Sequence, residues 1–478
     1  MLFRPQAQFR YTASLCFAQI YVMELVKKSV LVTSLLISQL VLSSAALATN
    51  GYFTHGLGVK NKSLAGAGTA SPDEAIASAN NPAAAVLLDT SLDVGLSIFS
   101  PRRSFDVSTS AAQGNGGAFT LDASVDSGRN FFPVPYLAWN WRRGDDNALA
   151  LAIYGRGGMN TEYTSGSATF DPDGPGPAAI ISAPGVFGGG EMGVNFSQLF
   201  MEASYARQAG SLAFGVSLVV AAQALEINGL SAFAPYTRIF AASGGTQAPT
   251  NLTNRDHDLA FGAGYKLGGI WTATETLRLA LSYQSEIGMS EFGDYRDLFA
   301  DAGGFDVPES IKAGVSWDST SWLTLHVDVE QTNFSKIGSI GNSSTALFSC
   351  PTAGAGGTNV EACLGGSEGA GFGWDDMTTY KFGMTYSPGS LPGWVFRGGF
   401  SHGNQPVQSA DVLLNIIAPA VVEKHFTLGA TTNVGGRLLS MALMYAPTQT
   451  VNGINLFDPT QSVALKMRQY ELEFSLAF

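Results

Sequence analysis

The chain is short of charge, of cysteine, of histidine and of long apolar runs, and each shortage removes a class of protein. Only 13% of its 478 residues are charged, and Asp plus Glu outnumber Lys plus Arg by 38 to 26. Nucleic-acid affinity rests on neutralising phosphates with basic side chains, so this acidic balance argues against a nucleic-acid partner. Past residue 48 no stretch approaches the roughly 20 apolar residues that a membrane helix needs. Three cysteines are too few for a disulfide scaffold. The five histidines, His55, His257, His326, His402 and His425, show no metal-ligand spacing. Gly66-Ala67-Gly68 follows no strand and lacks the dinucleotide spacing, and no Gly-x-Ser-x-Gly turn occurs. No metal, no cofactor and no enzymatic activity are expected.

What is present begins with an export signal. Lys27 and Lys28 precede an apolar run over 30–42, and Ala46-Leu47-Ala48 reads as a small-x-small cleavage site. Residues 1–48 are therefore expected to be an upstream extension plus signal peptide, with Met23 the expected start, Met1 the alternative, and cleavage after Ala48. Cleavage there removes four basic residues and one acid, taking the formal charge from −12 to −15. Cys16 leaves with the signal. Cys350 and Cys363 remain in a Gly/Ser/Thr-rich loop of an exported chain, where a disulfide is expected.

The last ten residues, Gln469 to Phe478, alternate strictly. Tyr470, Leu472, Phe474, Leu476 and Phe478 take one face, and Gln469, Glu471, Glu473, Ser475 and Ala477 take the other. The same unit recurs: Leu277, Leu279, Leu281 and Tyr283 interleave with Arg278, Ala280, Ser282 and Gln284. Fourteen such segments follow Asp89, near 91–105, 131–142, 147–163, 191–207, 212–228, 256–267, 277–292, 309–317, 323–333, 377–387, 394–402, 423–434, 438–447 and 465–478. Short turns (143–146, 208–211, 318–322, 388–393, 435–437) alternate with long loops (106–130, 164–190, 229–255, 293–308, 335–376, 403–422, 448–464). An even strand count, short turns on one side and long loops on the other define a bacterial outer-membrane barrel. The expected fold is an all-β, 14-stranded antiparallel transmembrane barrel over 90–478. Trp139 and Trp141, Trp317 and Trp322, and Trp374 and Trp394 fall near strand ends, as interface girdles do.

Residues 49–89 do not alternate. Ser71, Pro72 and Glu74 spell a capping box and predict one short helix. The segment ends in Asn80-Asn81-Pro82-Ala83-Ala84 and is expected to fold as a plug, or hatch, inside the barrel. The faces expected to line the lumen are only mildly polar: Leu438, Ser440, Ala442 and Met444 on one strand, and Val395, Arg397, Gly399 and Ser401 on another. That suits a closed, partly apolar passage. Gly155-Arg156-Gly157-Gly158 interrupts the third strand, and mid-strand glycine marks a bulge, a bend or a close approach.

These features together resemble the FadL family of outer-membrane transporters for long-chain fatty acids and other hydrophobic compounds, which includes toluene-uptake channels. The resemblance rests on Asn81-Pro82-Ala83, on Asn160-Thr161-Glu162-Tyr163, on Val307-Pro308-Glu309-Ser310-Ile311-Lys312-Ala313-Gly314, and on Gly373-Trp374-Asp375-Asp376-Met377 through Trp394-Val395-Phe396-Arg397. It implies a monomeric barrel with an N-terminal hatch, extracellular capture, an internal pocket, and sideways release into outer-membrane lipid at a kink falling on Gly155, Arg156, Gly157 and Gly158. Phe478 resembles the mark read by the outer-membrane insertion machinery. The glycine-rich kink with Arg156 inside it, and the long loop holding the cysteine pair, depart from the family pattern.

The function expected is passive uptake of hydrophobic small molecules, foremost long-chain fatty acids, with aromatic hydrocarbons by the same route as the alternative. A carboxylate in an apolar lumen needs a cation. Lys381, Arg397 and Arg278 have lumen-facing parity and are the candidates, unless they pair with Asp328, Glu330, Glu471 or Glu473. The rivals are a polar-solute porin and an outer-membrane hydrolase built on His326 and Asp328.

Overall fold

The computed structural model describes residues 49–171 and 180–478; the expected leader and its cleavage site lie outside the described residues. One sheet of seventeen strands forms the wall. Three of its members are two-residue pieces, Thr49–Asn50, Phe53–Thr54 and Val125–Asp126, which leaves the expected fourteen. They are β1 (Ser91–Val107), β2 (Phe132–Arg143), β3 (Asn147–Tyr163), β4 (Met192–Ala209), β5 (Leu212–Asn228), β6 (Asp258–Thr272), β7 (Leu277–Gln284), β8 (Ser310–Thr320), β9 (Leu323–Thr332), β10 (Met377–Tyr386), β11 (Trp394–Gly403), β12 (Lys424–Val434), β13 (Arg437–Asn455) and β14 (Asp458–Ala477). Neighbours in sequence pair antiparallel, and β14 closes the barrel on β1, with Leu472 opposite Ile98. Closure on β1 leaves neither the first nor the last strand as an open end of the sheet.

Period-two patterning decides which way each side chain points. On β14, Tyr470 and Phe474 are exposed on the outside, whereas Gln469, Glu471 and Glu473 are buried inside. The outer face continues through Leu443 and Tyr445 on β13, Phe382 and Met384 on β10, and Phe214, Val216 and Leu218 on β5. Exposed apolar side chains all round a closed wall are what a bilayer covers. No described helix is long and apolar enough to cross a membrane. Trp139, Trp317, Trp322 and Trp394 stand exposed near strand ends. Trp374 does not: it is 1% exposed and donates through Nε1 to Asn415 Oδ1 at 2.6 Å, so it belongs to the interior and not to a girdle.

Two loop expectations change. The stretch 448–464 is mostly strand, because β13 and β14 keep pairing as far as Asn455 and Asp458. Pro447 cannot donate to the ladder, and a bulge there shifts the register and hides the alternation from a reading of the sequence. Conversely, the run expected to reach residue 292 ends at Gln284, and only isolated bridges such as Ile287 to Val307 continue it. Cys350 and Cys363 are joined by a disulfide within the 335–376 loop.

Residues 49–89 form the hatch, with α1 (Val59–Ser63) and α2 (Ala77–Asn80) followed by a 3-10 turn over Pro82–Leu87. Asn81 caps that turn, its side chain accepting from Ala83 N at 3.0 Å, and Pro82 takes the first position, where a missing N–H costs nothing. The helix expected from Ser71 starts instead at Ala77 and has no side-chain cap. Glu74 does cap a helix, but a different one: its carboxylate accepts from Lys60 N and Asn61 N, both at 3.1 Å, at the start of α1. Burial, reinforced by the neighbouring Asp73 carboxylate, pushes the Glu74 carboxyl up to about 8.

The hatch lies against lumen-facing backbone where the wall has no side chain. A Cβ on Gly268 of β6 would stand 2.0 Å from Asn81 Oδ1. The Asn81 amide donates to Gly269 O and Leu281 O at 3.2 and 3.3 Å.

Candidate transport passage

Three features stand out inside the barrel: an apolar pocket under the long loops, a charged chamber beside the hatch, and a break in the strand pairing of the wall. The pocket is walled by Leu230, Phe233, Phe299, Leu364, Phe372 and Leu414, among others. Its lining comes from the ends of strands and from four different long loops. Deeper in, aromatic rings crowd around the start of the hatch. Tyr52 has its ring centroid 5.9 Å from Phe196, 5.5 Å from Phe334 and 6.0 Å from Trp374.

The chamber is lined by Leu57 and Asn80 of the hatch and by Arg156, Lys266, Lys312 and Glu330 of the wall. Glu330 on β9 collects three cations: Lys381 Nζ at 2.6 Å, Lys312 Nζ at 3.4 Å and Arg156 at 3.8 Å. Lys266 has its own partner, Glu202, at 2.7 Å. Asp328 is occupied by the hatch, accepting from Gly68 N and Thr69 N at 3.2 and 3.0 Å. One carboxylate facing three cations leaves positive charge over in a buried space.

Of the three cations singled out from parity, only Lys381 reaches Glu330, and it also donates to His55 O at 3.0 Å. Arg397 faces Thr385 in the register, nearer the short-turn end, and pairs with Asp73 of the hatch. Arg278 sits at the short-turn rim, bound to Asp318 at 2.9 Å. The structure therefore does not bring the three together. Glu471 and Glu473 engage neither; both hold Lys62 of the hatch, at 2.6 and 2.5 Å. Lys312 and Lys266 escaped the sequence reading, although their alternation with exposed Ile311 and Leu267 carried the signal.

The break lies between β2 and β3. Their pairing stops at Tyr136 opposite Tyr154, and the rest of β3 up to Tyr163 has no β2 partner. Against β4, Leu199 faces Gly155 and Gln198 faces Gly157, so Arg156 is the extra residue of a bulge. Above the last pair, β2 carries Pro133 and Pro135, which lack an N–H and are tolerated where a strand has a free edge. The hatch occupies the gap. Phe53 pairs with Gly157, and Gly158 N donates to Tyr52 O at 3.0 Å. Gly157 is what permits this approach, since a Cβ there would stand 2.9 Å from Tyr52 O. The Arg156 guanidinium lies 4.4 Å over the Phe53 ring. A small cavity adjoins the gap, lined by Tyr52, Phe99, Gly158, Asn160 and Ala418.

The catalytic pair considered for a hydrolase is not formed. His326 shares hydrogen bonds with Ser316 and Thr385 at 2.9 and 3.0 Å, away from Asp328. Among the described residues no group of His, Cys, Asp or Glu side chains is arranged to hold a metal.

A lipid-belted barrel with a folded stopper in its lumen and a gap in its wall defines an outer-membrane transport channel of the class that moves solutes without a catalytic centre. The family of outer membrane protein transport proteins (OMPP1/FadL/TodX) matches residues 184–438, and the chain belongs to that family. It is an outer-membrane protein of a Gram-negative-type envelope, and it is not an enzyme. Solved structures show the same fold at low identity. The toluene transporter TodX of P. putida is 14% identical, with a TM-score of 0.59, covering 88% of this chain and 98% of that one. The toluene transporter TbuX of Ralstonia pickettii is 17% identical, with a TM-score of 0.55 and coverage of 88% and 98%. A FadL homologue of Pseudomonas aeruginosa is 14% identical, with a TM-score of 0.56 and coverage of 89% and 98%. No curated protein matches the chain.

Proposed function

We propose that this channel carries long-chain fatty acids inward by passive diffusion. The acyl chain enters the apolar pocket under the loops. The carboxylate is then held by Lys312, Lys381 and Arg156 in the chamber, and the molecule leaves sideways through the gap between β2 and β3 once Tyr52 and Phe53 withdraw. Arg397 and Arg278, bound to Asp73 and Asp318, stand further along the lumen and meet a head group only after the hatch has moved. The observation that carries this reading is the imbalance at Glu330, three cations around one carboxylate beside an internal cavity. A neutral hydrocarbon has no use for that charge. A single chain closes the whole barrel, so each monomer is one route.

A second reading, uptake of monoaromatic hydrocarbons by the same path, is favoured by the ring cluster around Tyr52 and by the toluene transporters among the structural neighbours. Titrating wild type and the Lys312→Ala/Lys381→Ala protein with palmitate, methyl palmitate and toluene separates the two. The fatty-acid reading expects the variant to lose palmitate affinity by roughly tenfold or more while methyl palmitate is unchanged, as removal of charged hydrogen bonds implies. Palmitate affinity equal in both proteins removes the carboxylate site. Binding of toluene without palmitate selects the second reading.

A further inference from the structure

The outer face of the β14–β1 seam carries charge just where the apolar belt ends. Outward positions on β14 run Phe474, Leu472, Tyr470 and then Arg468 and Lys466; on β1 they run Leu96, Ile98, Ser100 and then Arg102. In the register Arg468 lies directly opposite Arg102, and Tyr470 opposite Ser100. Like charges placed directly across a strand pair repel. Lys466 has a partner in Asp106, whereas among the described residues neither the Arg102 nor the Arg468 guanidinium has a carboxylate partner, and Arg102 lies 5.1 Å from the Phe131 ring.

The wall is recessed at this point. Between Ala446 and Gln449 of β13 the register shifts, so Arg468 alone faces Pro447 and Thr448. The recess is lined by four cations, Arg102, Arg103, Lys466 and Arg468, against one carboxylate, Asp126. Arg103 turns away, donating to Arg129 O and lying over the Phe132 ring. Arg102 and Arg468 are left as an uncompensated pair of forks at the long-loop edge of the lipid belt. Guanidinium forks match phosphate oxygens bidentately, and basic clusters beside a membrane belt select anionic head groups.

We propose that this recess binds a phosphate group of the outer-leaflet glycolipid, with Arg102 and Arg468 clasping one phosphate between them, Lys466 adding charge, and the acyl chains running down the face of Tyr470 and Leu472. The site is on the outside of the wall and is independent of what crosses the lumen.

The test is native mass spectrometry of detergent-purified protein with three probes: diphosphoryl lipid A, the same lipid dephosphorylated, and inorganic phosphate. Wild type is expected to retain the diphosphoryl lipid, while Arg102→Gln/Arg468→Gln loses retention on the order of tenfold, as two interfacial arginines imply. Arg102→Lys/Arg468→Lys keeps most of it, and Arg207→Gln, at a short turn, changes nothing. Heat-modifiable mobility on gels checks that each variant is folded, and the comparison of the two lipids on wild type needs no variant. Equal retention of dephosphorylated lipid, or equal retention by the Gln variant, overturns the proposal. Displacement of the lipid by an equal concentration of inorganic phosphate overturns it in favour of a site for the free ion.

Discussion

The two faces of one strand follow different rules. On β14 the outward side chains Tyr470, Leu472 and Phe474 need only be apolar, because lipid adapts to them. The inward Glu471 and Glu473 have a specific partner, Lys62, reached from more than four hundred residues away in the chain. The outer face is thus specified by composition and the inner face by docking. Errors on the two faces should differ in size and in what they damage.

Removing Lys62 is the sharpest way to break the inner face. Lys62→Met leaves two buried carboxylates without their cation, and breaking a buried pair from one side costs about 3–5 kcal/mol. The expected result is a loosened hatch, read as a steady ion current in planar bilayers that wild type lacks, with heat-modifiable barrel mobility retained. On the outer face, Leu443→Lys places a charge in the belt and should cost about 2–4 kcal/mol of barrel stability by urea refolding into vesicles. It should leave the hatch closed. If the two variants give the same phenotype, the division between faces is wrong.

Gly157→Val overpacks the contact between β3 and Tyr52, where about 1–3 kcal/mol is expected. Faster hydrogen exchange confined to residues 49–54 and 155–163 would show that the stopper alone is affected. The smallest effect concerns pH. The Glu74 carboxyl is raised from an ordinary 4.5 to about 8, so the folded hatch prefers it protonated. Its stabilising effect is complete below about 4.5 and is lost as pH rises through about 8. Hatch protection in wild type should therefore fall over that window. In Glu74→Gln, which keeps an oxygen for the Lys60 and Asn61 N–H groups, the fall should flatten; an unchanged slope would exclude Glu74 as its source.

How much could be read in advance follows the same division. The outer face was legible because lipid demands only period two: all fourteen strands lie where Leu, Tyr and Phe alternate with small or polar residues, and loop length assigns the two ends. Asn81-Pro82-Ala83 was legible only through the family resemblance; that Asn81 caps a turn begun by Pro82 appears in the fold. The inner face was not. Glu74 fits a capping box for its own segment, yet it caps α1, because a cap needs only an acceptor in space. Parity placed Lys381, Arg397 and Arg278 inward. It could not say that Asp73 of the hatch would take one of them, or that Lys312 and Arg156 would join Lys381 at Glu330. The β13–β14 extension was hidden by Pro447, which interrupts the period without ending the strand.

We propose that the hatch strand stoppers the gap between β2 and β3 and withdraws for cargo. Hydrogen exchange of residues 49–54 and 155–163, measured with and without saturating palmitate, tests it most directly. Slow exchange is expected at the Gly158 amide in the empty protein, and faster exchange there and across 49–54 with palmitate bound, while the β13–β14 ladder stays protected. Unchanged or slower exchange at Gly158 in the palmitate complex would contradict it.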